Sequence, residues 1–139
     1  MTAIVDTGPL VAFFNRSERH HHWAVEQLDR RTGSLLVCEP VLTEAWHLLS
    51  RFPRTQEALL ELVASSAIRV AFALDDNVQD IVKLVMKYRD TPMSLADACV
   101  VRMAEIHARA PVLTLDSDFL IYRRRDRSPL EVIHPSMSP

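Results

Sequence analysis

Two glycines, two cysteines and two lysines in 139 residues exclude several familiar chemistries. Gly8 and Gly33 stand alone, so no glycine-rich loop exists to cradle a nucleotide phosphate, and dinucleotide and P-loop binding drop out. Cys38 and Cys99 each sit in an apolar stretch, which suits small buried hydrophobes and makes no disulfide framework. No unbroken apolar run approaches membrane-spanning length, so no membrane contact is expected. The first apolar run stops at Asp6 without a basic flank or cleavage site, which predicts a cytoplasmic chain rather than a secreted one. The net charge of −2 argues against indiscriminate attraction to nucleic acid, yet fourteen of the sixteen basic residues are arginine, the residue suited to bidentate phosphate contacts. Arg123-Arg124-Arg125-Asp126-Arg127 is the densest basic cluster, and Arg16 and Arg19 flank another segment; a solvated surface run is the plain reading of each.

What is present reads as one globular domain. Hydrophobic residues make up 48% and charged residues 24%, and the length suffices to bury a core. Short β-branched runs at Ala3–Val5, Leu35–Cys38, Ile68–Phe72, Val112–Leu115 and Leu130–Ile133 predict buried strands. Helical patterns fill the gaps: Ser17 as cap to about Arg31, Pro40 to about Ser50, Arg54 to Ala64, Asp75 as cap to Thr91-Pro92, Ser94 to about Ala108, and a short Ser117–Tyr122. In the Asp75 helix, Val78, Ile81, Val82, Val85 and Tyr88 recur at the spacing of one buried face. Alternating strands and helices call for an α/β domain of three layers, with a mostly parallel sheet of about five strands, over residues 1–133. Residues 134–139 read as a disordered tail.

Four acids stand where such a sheet collects ligands, at the carboxyl ends of its strands and the starts of its helices. Asp6 ends the first strand and is followed by Thr7-Gly8-Pro9; capping of the next helix is an equal alternative there. Asp116 ends Val112-Leu113-Thr114-Leu115 in the same way, before Ser117-Asp118-Phe119. Asp97 lies three residues after Ser94, as in a capping box, but shares a face with Val100, Val101 and Ala104. Glu44 sits at the margin of an apolar stripe and carries little information alone. Like charges gathered in one crevice are unfavourable unless a cation joins them, and oxygen-only donors suit Mg²⁺ or Mn²⁺. Such a site hydrolyses phosphodiesters through a metal-activated water and needs no side-chain nucleophile. Zinc is disfavoured, because His20-His21-His22 point three ways from a helix and His47 and His107 lack partners at ligand spacing.

Asp6-Thr7-Gly8-Pro9-Leu10-Val11-Ala12, Thr43-Glu44, Leu95-Ala96-Asp97-Ala98 and Thr114-Leu115-Asp116-Ser117-Asp118-Phe119 together resemble the four acidic motifs of PIN-domain ribonucleases, in order and spacing over nearly the whole chain. The subgroup they look like is the VapC-like toxins of bacterial toxin–antitoxin systems. The resemblance implies a PIN fold, metal-dependent endoribonuclease activity, a homodimer and a cognate antitoxin. It implies that Asp6, Glu44, Asp97 and Asp116 hold Mg²⁺ or Mn²⁺ and that Thr7 supports the first aspartate. For Asp118 it leaves open a second-ion ligand, a water-mediated contact or a helix cap. Two other classes compete: a phosphoacceptor domain, which wants a lysine near a late strand where this chain has only Lys83 and Lys87, and an aspartate-nucleophile phosphatase, which wants an acid where Gly8 stands. A module that keeps the fold and binds RNA or a partner without cutting is the remaining alternative.

Overall fold

The computed structural model describes residues 2–137. Five strands form one parallel sheet: β1 (Ala3–Val5), β2 (Leu35–Val37), β3 (Ile68–Val70), β4 (Val112–Leu113) and β5 (Val132–Ile133). Their order is β3-β2-β1-β4-β5, with Ala3 opposite Leu35 and Ile4 opposite Val112. The α/β architecture is as the alternating pattern predicts. The order reverses direction between β1 and β4, and in an open parallel sheet that reversal opens a crevice beyond the strand ends. The strands at this crevice are followed by Asp6 and Asp116.

The helices are α1 (Thr7–Phe14), α2 (His21–Asp29), α3 (Glu39–Leu48), α4 (Pro53–Ala64), α5 (Leu74–Lys87) and α6 (Leu95–Ile106), with a 3₁₀ turn at Ser117–Leu120. α1 packs on α2 and α3, α5 packs on α6, and α3 meets α6. Ile4, Leu10, Val37, Val41, Met103 and Leu113 are fully buried in the core between them, as are both cysteines. α6 is apolar almost all round because Ala98 to Val101, Met103 and Ala104 are all buried.

Several expected boundaries shift. The second apolar run, unassigned in the sequence, is α1, which lacks an amphipathic signature because Leu10 and Ala12 are buried and Val11, Phe13 and Phe14 pack against the core. α2 begins at His21 rather than after Ser17, since the Asn15 side chain captures the Ser17 N–H at 3.0 Å and bends the chain into a turn. α5 begins at Leu74, so Asp75 and Asp76 occupy its first turn, where the helix dipole favours them, and Asp75 is not the cap. β3 is an edge strand with Arg69 and Val70 exposed, not a fully buried one. The expected single buried face of α5 is split: Ile81 and Leu84 are buried, while Val78, Val82 and Val85 are exposed.

The basic run is also not a uniformly solvated strip. The Arg124 guanidinium donates to the carbonyls of Ala104, Ala108 and Pro129 and fastens this segment to the end of α6. In the 134–139 stretch, His134 reaches the Leu115 carbonyl at 3.1 Å and Pro135–Met137 form a 3₁₀ turn. Residues 138 and 139 of the expected tail lie outside the described residues. Among the described residues no helix is long and apolar enough to cross a membrane.

Candidate active site

Asp6, Glu44, Asp97 and Asp116 line one cavity of about 560 Å³ at the crevice between β1 and β4, together with Thr7, Gly8, Ser94 and Ser117. No lysine or arginine lines it. All four acids singled out in the sequence therefore come together. Asp118 does not line the cavity; its N–H donates to Asp116 Oδ1 at 2.9 Å, so Asp116 caps the 3₁₀ turn and faces the cavity as well.

Each acid is held by a different local device. Asp6 leaves β1 with its N–H bonded to the Leu113 carbonyl at 2.9 Å, which fixes it against β4. Its side chain makes no capping hydrogen bond to α1, and Oδ2 instead accepts the Thr114 hydroxyl at 2.8 Å. Thr114 is fully buried, and its oxygen in turn accepts the Asp116 N–H at 2.9 Å, so one hydroxyl ties the two strand-end aspartates together. The sequence reading missed Thr114 in this role. Thr7, expected to support Asp6, donates instead to Glu44 Oε1 at 2.7 Å, because as the first residue of α1 it faces α3. Gly8 has a local reason to be glycine: a Cβ there would lie 3.1 Å from the Leu115 side chain.

Asp97 completes a capping box with Ser94, accepting the Ser94 N–H at 3.1 Å while Ser94 Oγ accepts the Asp97 N–H at 3.0 Å. Capping and site membership are thus compatible, since the box fixes the carboxylate at the helix start. Behind it the Tyr122 hydroxyl donates to the Pro92 carbonyl at 2.8 Å and lies 3.5 Å from Asp97 Oδ2. The Tyr122 ring is edge-packed on Phe119 and Tyr88. Burial and the neighbouring Asp97 charge hold the phenol above its usual range, so it stays a neutral donor. Tyr122→Phe keeps the ring packing and orphans the Pro92 carbonyl; a loss of about 1–2 kcal/mol in urea unfolding is expected.

The electrostatics are those of a site short of positive charge. Burial pushes the Asp6 carboxyl up to about 6, helped by the Asp97 and Asp116 charges and opposed by the Thr114 hydroxyl. Asp97 is raised as well, by burial and then by Asp116 and Glu44. Among the described residues no three aspartate, glutamate, histidine or cysteine side chains approach closely enough to form a ready-made metal cage. The donor set nevertheless fits Mg²⁺ or Mn²⁺: it is all oxygen and uncompensated by any basic group, and such ions keep several of their own waters, which span carboxylates not in mutual contact.

A family model for the PIN domain matches residues 3–125, nearly the whole chain. The chain belongs to the PIN-domain family. Ribonuclease VapC26 of Mycobacterium tuberculosis is 30% identical to it over 115 residues, 81% of this chain and 85% of that protein. The PIN fold recurs in the crystal structure of M. tuberculosis VapC20, a sarcin-ricin loop cleaving toxin, with a TM-score of 0.75 at 20% identity over 84% of this chain and 92% of that one. A toxin–antitoxin complex from Klebsiella pneumoniae contains a chain similar at a TM-score of 0.63 and 20% identity, covering 84% and 88% of the two chains.

Proposed function

We propose that this PIN domain is the ribonuclease toxin of a toxin–antitoxin pair and hydrolyses RNA phosphodiester bonds with Mg²⁺ or Mn²⁺ held by Asp6, Glu44, Asp97 and Asp116. The observation that carries the metal site is the convergence of four carboxylates from four separate segments on one cavity lacking any basic residue. The family match and the VapC relatives support the ribonuclease reading. A bound ion would supply Lewis-acid activation of phosphate and of water. The chain's own contribution is placement: Thr114 fixes Asp6 relative to Asp116, Thr7 holds Glu44, and the Ser94 box holds Asp97.

The K. pneumoniae complex supports an antitoxin partner for this chain. So does a groove of about 460 Å³ lined by Pro40, Phe72, Leu74, Leu95 and Ala96, which shares Glu44 with the acidic cavity. A segment with an apolar face and a basic side chain fits both at once. The reading further includes a homodimer and a cytoplasmic location.

The deciding experiment pairs calorimetric Mn²⁺ titration with cleavage of total cellular RNA, with and without chelator. Metal binding and chelator-sensitive cleavage, both lost in Asp97→Asn, are expected. Metal binding without cleavage of any RNA would replace the enzyme with a binding module, and cleavage unaffected by chelator would remove the metal.

A further inference from the structure

α5 carries a second apolar stripe that nothing in the chain covers. Val78, Val82, Val85 and Met86 follow the i, i+4, i+7, i+8 spacing of one helix face and are 45%, 46%, 42% and 57% exposed. The helix packs its other apolar side, Ile81 and Leu84, on the core. Four large apolar side chains aligned on one exposed face are the mark of an interaction surface rather than scattered surface residues.

The charges around the stripe identify its occupant. Asp75 lies in the first turn of α5 and Arg89 just beyond its end, equally far from Val82 along the chain. Both are exposed, and among the described residues neither takes part in an ion pair. The helix as a whole is acidic at its start, with Asp75 and Asp76, and basic toward its end, with Lys83 and Lys87. A surface whose charge inverts about its own centre complements itself when rotated by a half turn, the requirement for an isologous two-fold contact. We infer that a second copy of this chain docks here, with the two α5 helices antiparallel and crossing at Val82. Val78 then meets Met86 of the second copy, Asp75 meets its Arg89, and the helix dipoles oppose each other. An RNA strand has no use for an apolar stripe. This inference rests on the homodimer reading above and adds the face, the axis and the pairing.

The test measures the mass of the full chain across a concentration series by light scattering. Wild type is expected to be dimeric. Val82→Asp, which sets two carboxylates against each other on the axis, is expected to weaken the dimer on the order of 100-fold or more. Asp75→Arg and Arg89→Asp are each expected to weaken it about tenfold, and the double reversal to restore it. All substituted positions are exposed, and circular dichroism confirms folding. A monomeric wild type would overturn the homodimer reading together with this inference. A dimeric wild type whose dimer survives Val82→Asp and both charge reversals would overturn the face alone, leaving the stripe to an antitoxin helix or another partner.

Discussion

Asp6→Asn is expected to abolish RNA cleavage and, in the absence of metal, to make the protein more stable. The loss of activity follows from removing the most buried of the four carboxylates, and a lost electrostatic element of several kcal/mol corresponds to a rate fall on the order of 10³-fold. The gain in stability follows from its titration. Asp6 is raised from 3.8 to about 6 in the fold, chiefly by burial. Below about pH 4 both the folded and unfolded chains carry it protonated, and it imposes no penalty. As pH rises toward 6 the unfolded chain ionises first, so stability falls through this window and stays lower above it, by about 3 kcal/mol in all. Asparagine never ionises and its carbonyl still accepts the Thr114 hydroxyl. In chelator at pH 7.5, Asp6→Asn should therefore melt above wild type; near pH 4 the two should coincide. Added Mg²⁺ should raise only the wild type and close the gap. A variant that melts below wild type in chelator at pH 7.5 would show that Asp6 is a structural residue and not a charge held in readiness for a cation.

The sequence displays Asp6 and Asp116 plainly because both end β-branched runs, and the parallel order of β1 and β4 turns that similarity into adjacency. Asp97 is legible for a related reason: a carboxylate on a helix otherwise buried on most sides has few places to go. Glu44 is not legible alone, because its value depends on α3 meeting the start of α1 through Thr7. The role of Thr114 is hidden for a deeper reason. A threonine in Val112-Leu113-Thr114-Leu115 is ordinary strand composition, and only the register that pairs Val5 with Leu113 brings its hydroxyl to Asp6. The periodicity of α5 likewise identifies a helix with several apolar positions, but which of them are buried depends on how the helix rolls against α6. Roll is set by the packed neighbours, and its outcome here buries Ile81 and Leu84 and leaves the valines outside.

Thr114→Val tests whether the hidden hydroxyl acts on chemistry as well as on folding. Valine preserves the shape of this fully buried side chain and removes both of its hydrogen bonds, the donation to Asp6 Oδ2 and the acceptance from the Asp116 N–H. A bond to a charged group and an orphaned N–H together place the stability loss at about 2–4 kcal/mol. A packing role would end there. The hydroxyl, however, also lowers the Asp6 pKa against the pull of burial, so its removal favours protonated Asp6 at still higher pH. The acid limb of the pH–rate profile, expected near pH 6 in wild type, should move upward in Thr114→Val and return in Thr114→Ser, which restores the donor. At pH 7 a fall in kcat/KM of roughly 10–100-fold is expected, the range seen when a group orienting a metal ligand is removed. It should shrink as pH rises and Asp6 ionises again. An acid limb that stays in place while stability falls would confine Thr114 to the fold and leave Asp6 oriented by β1 and β4 alone.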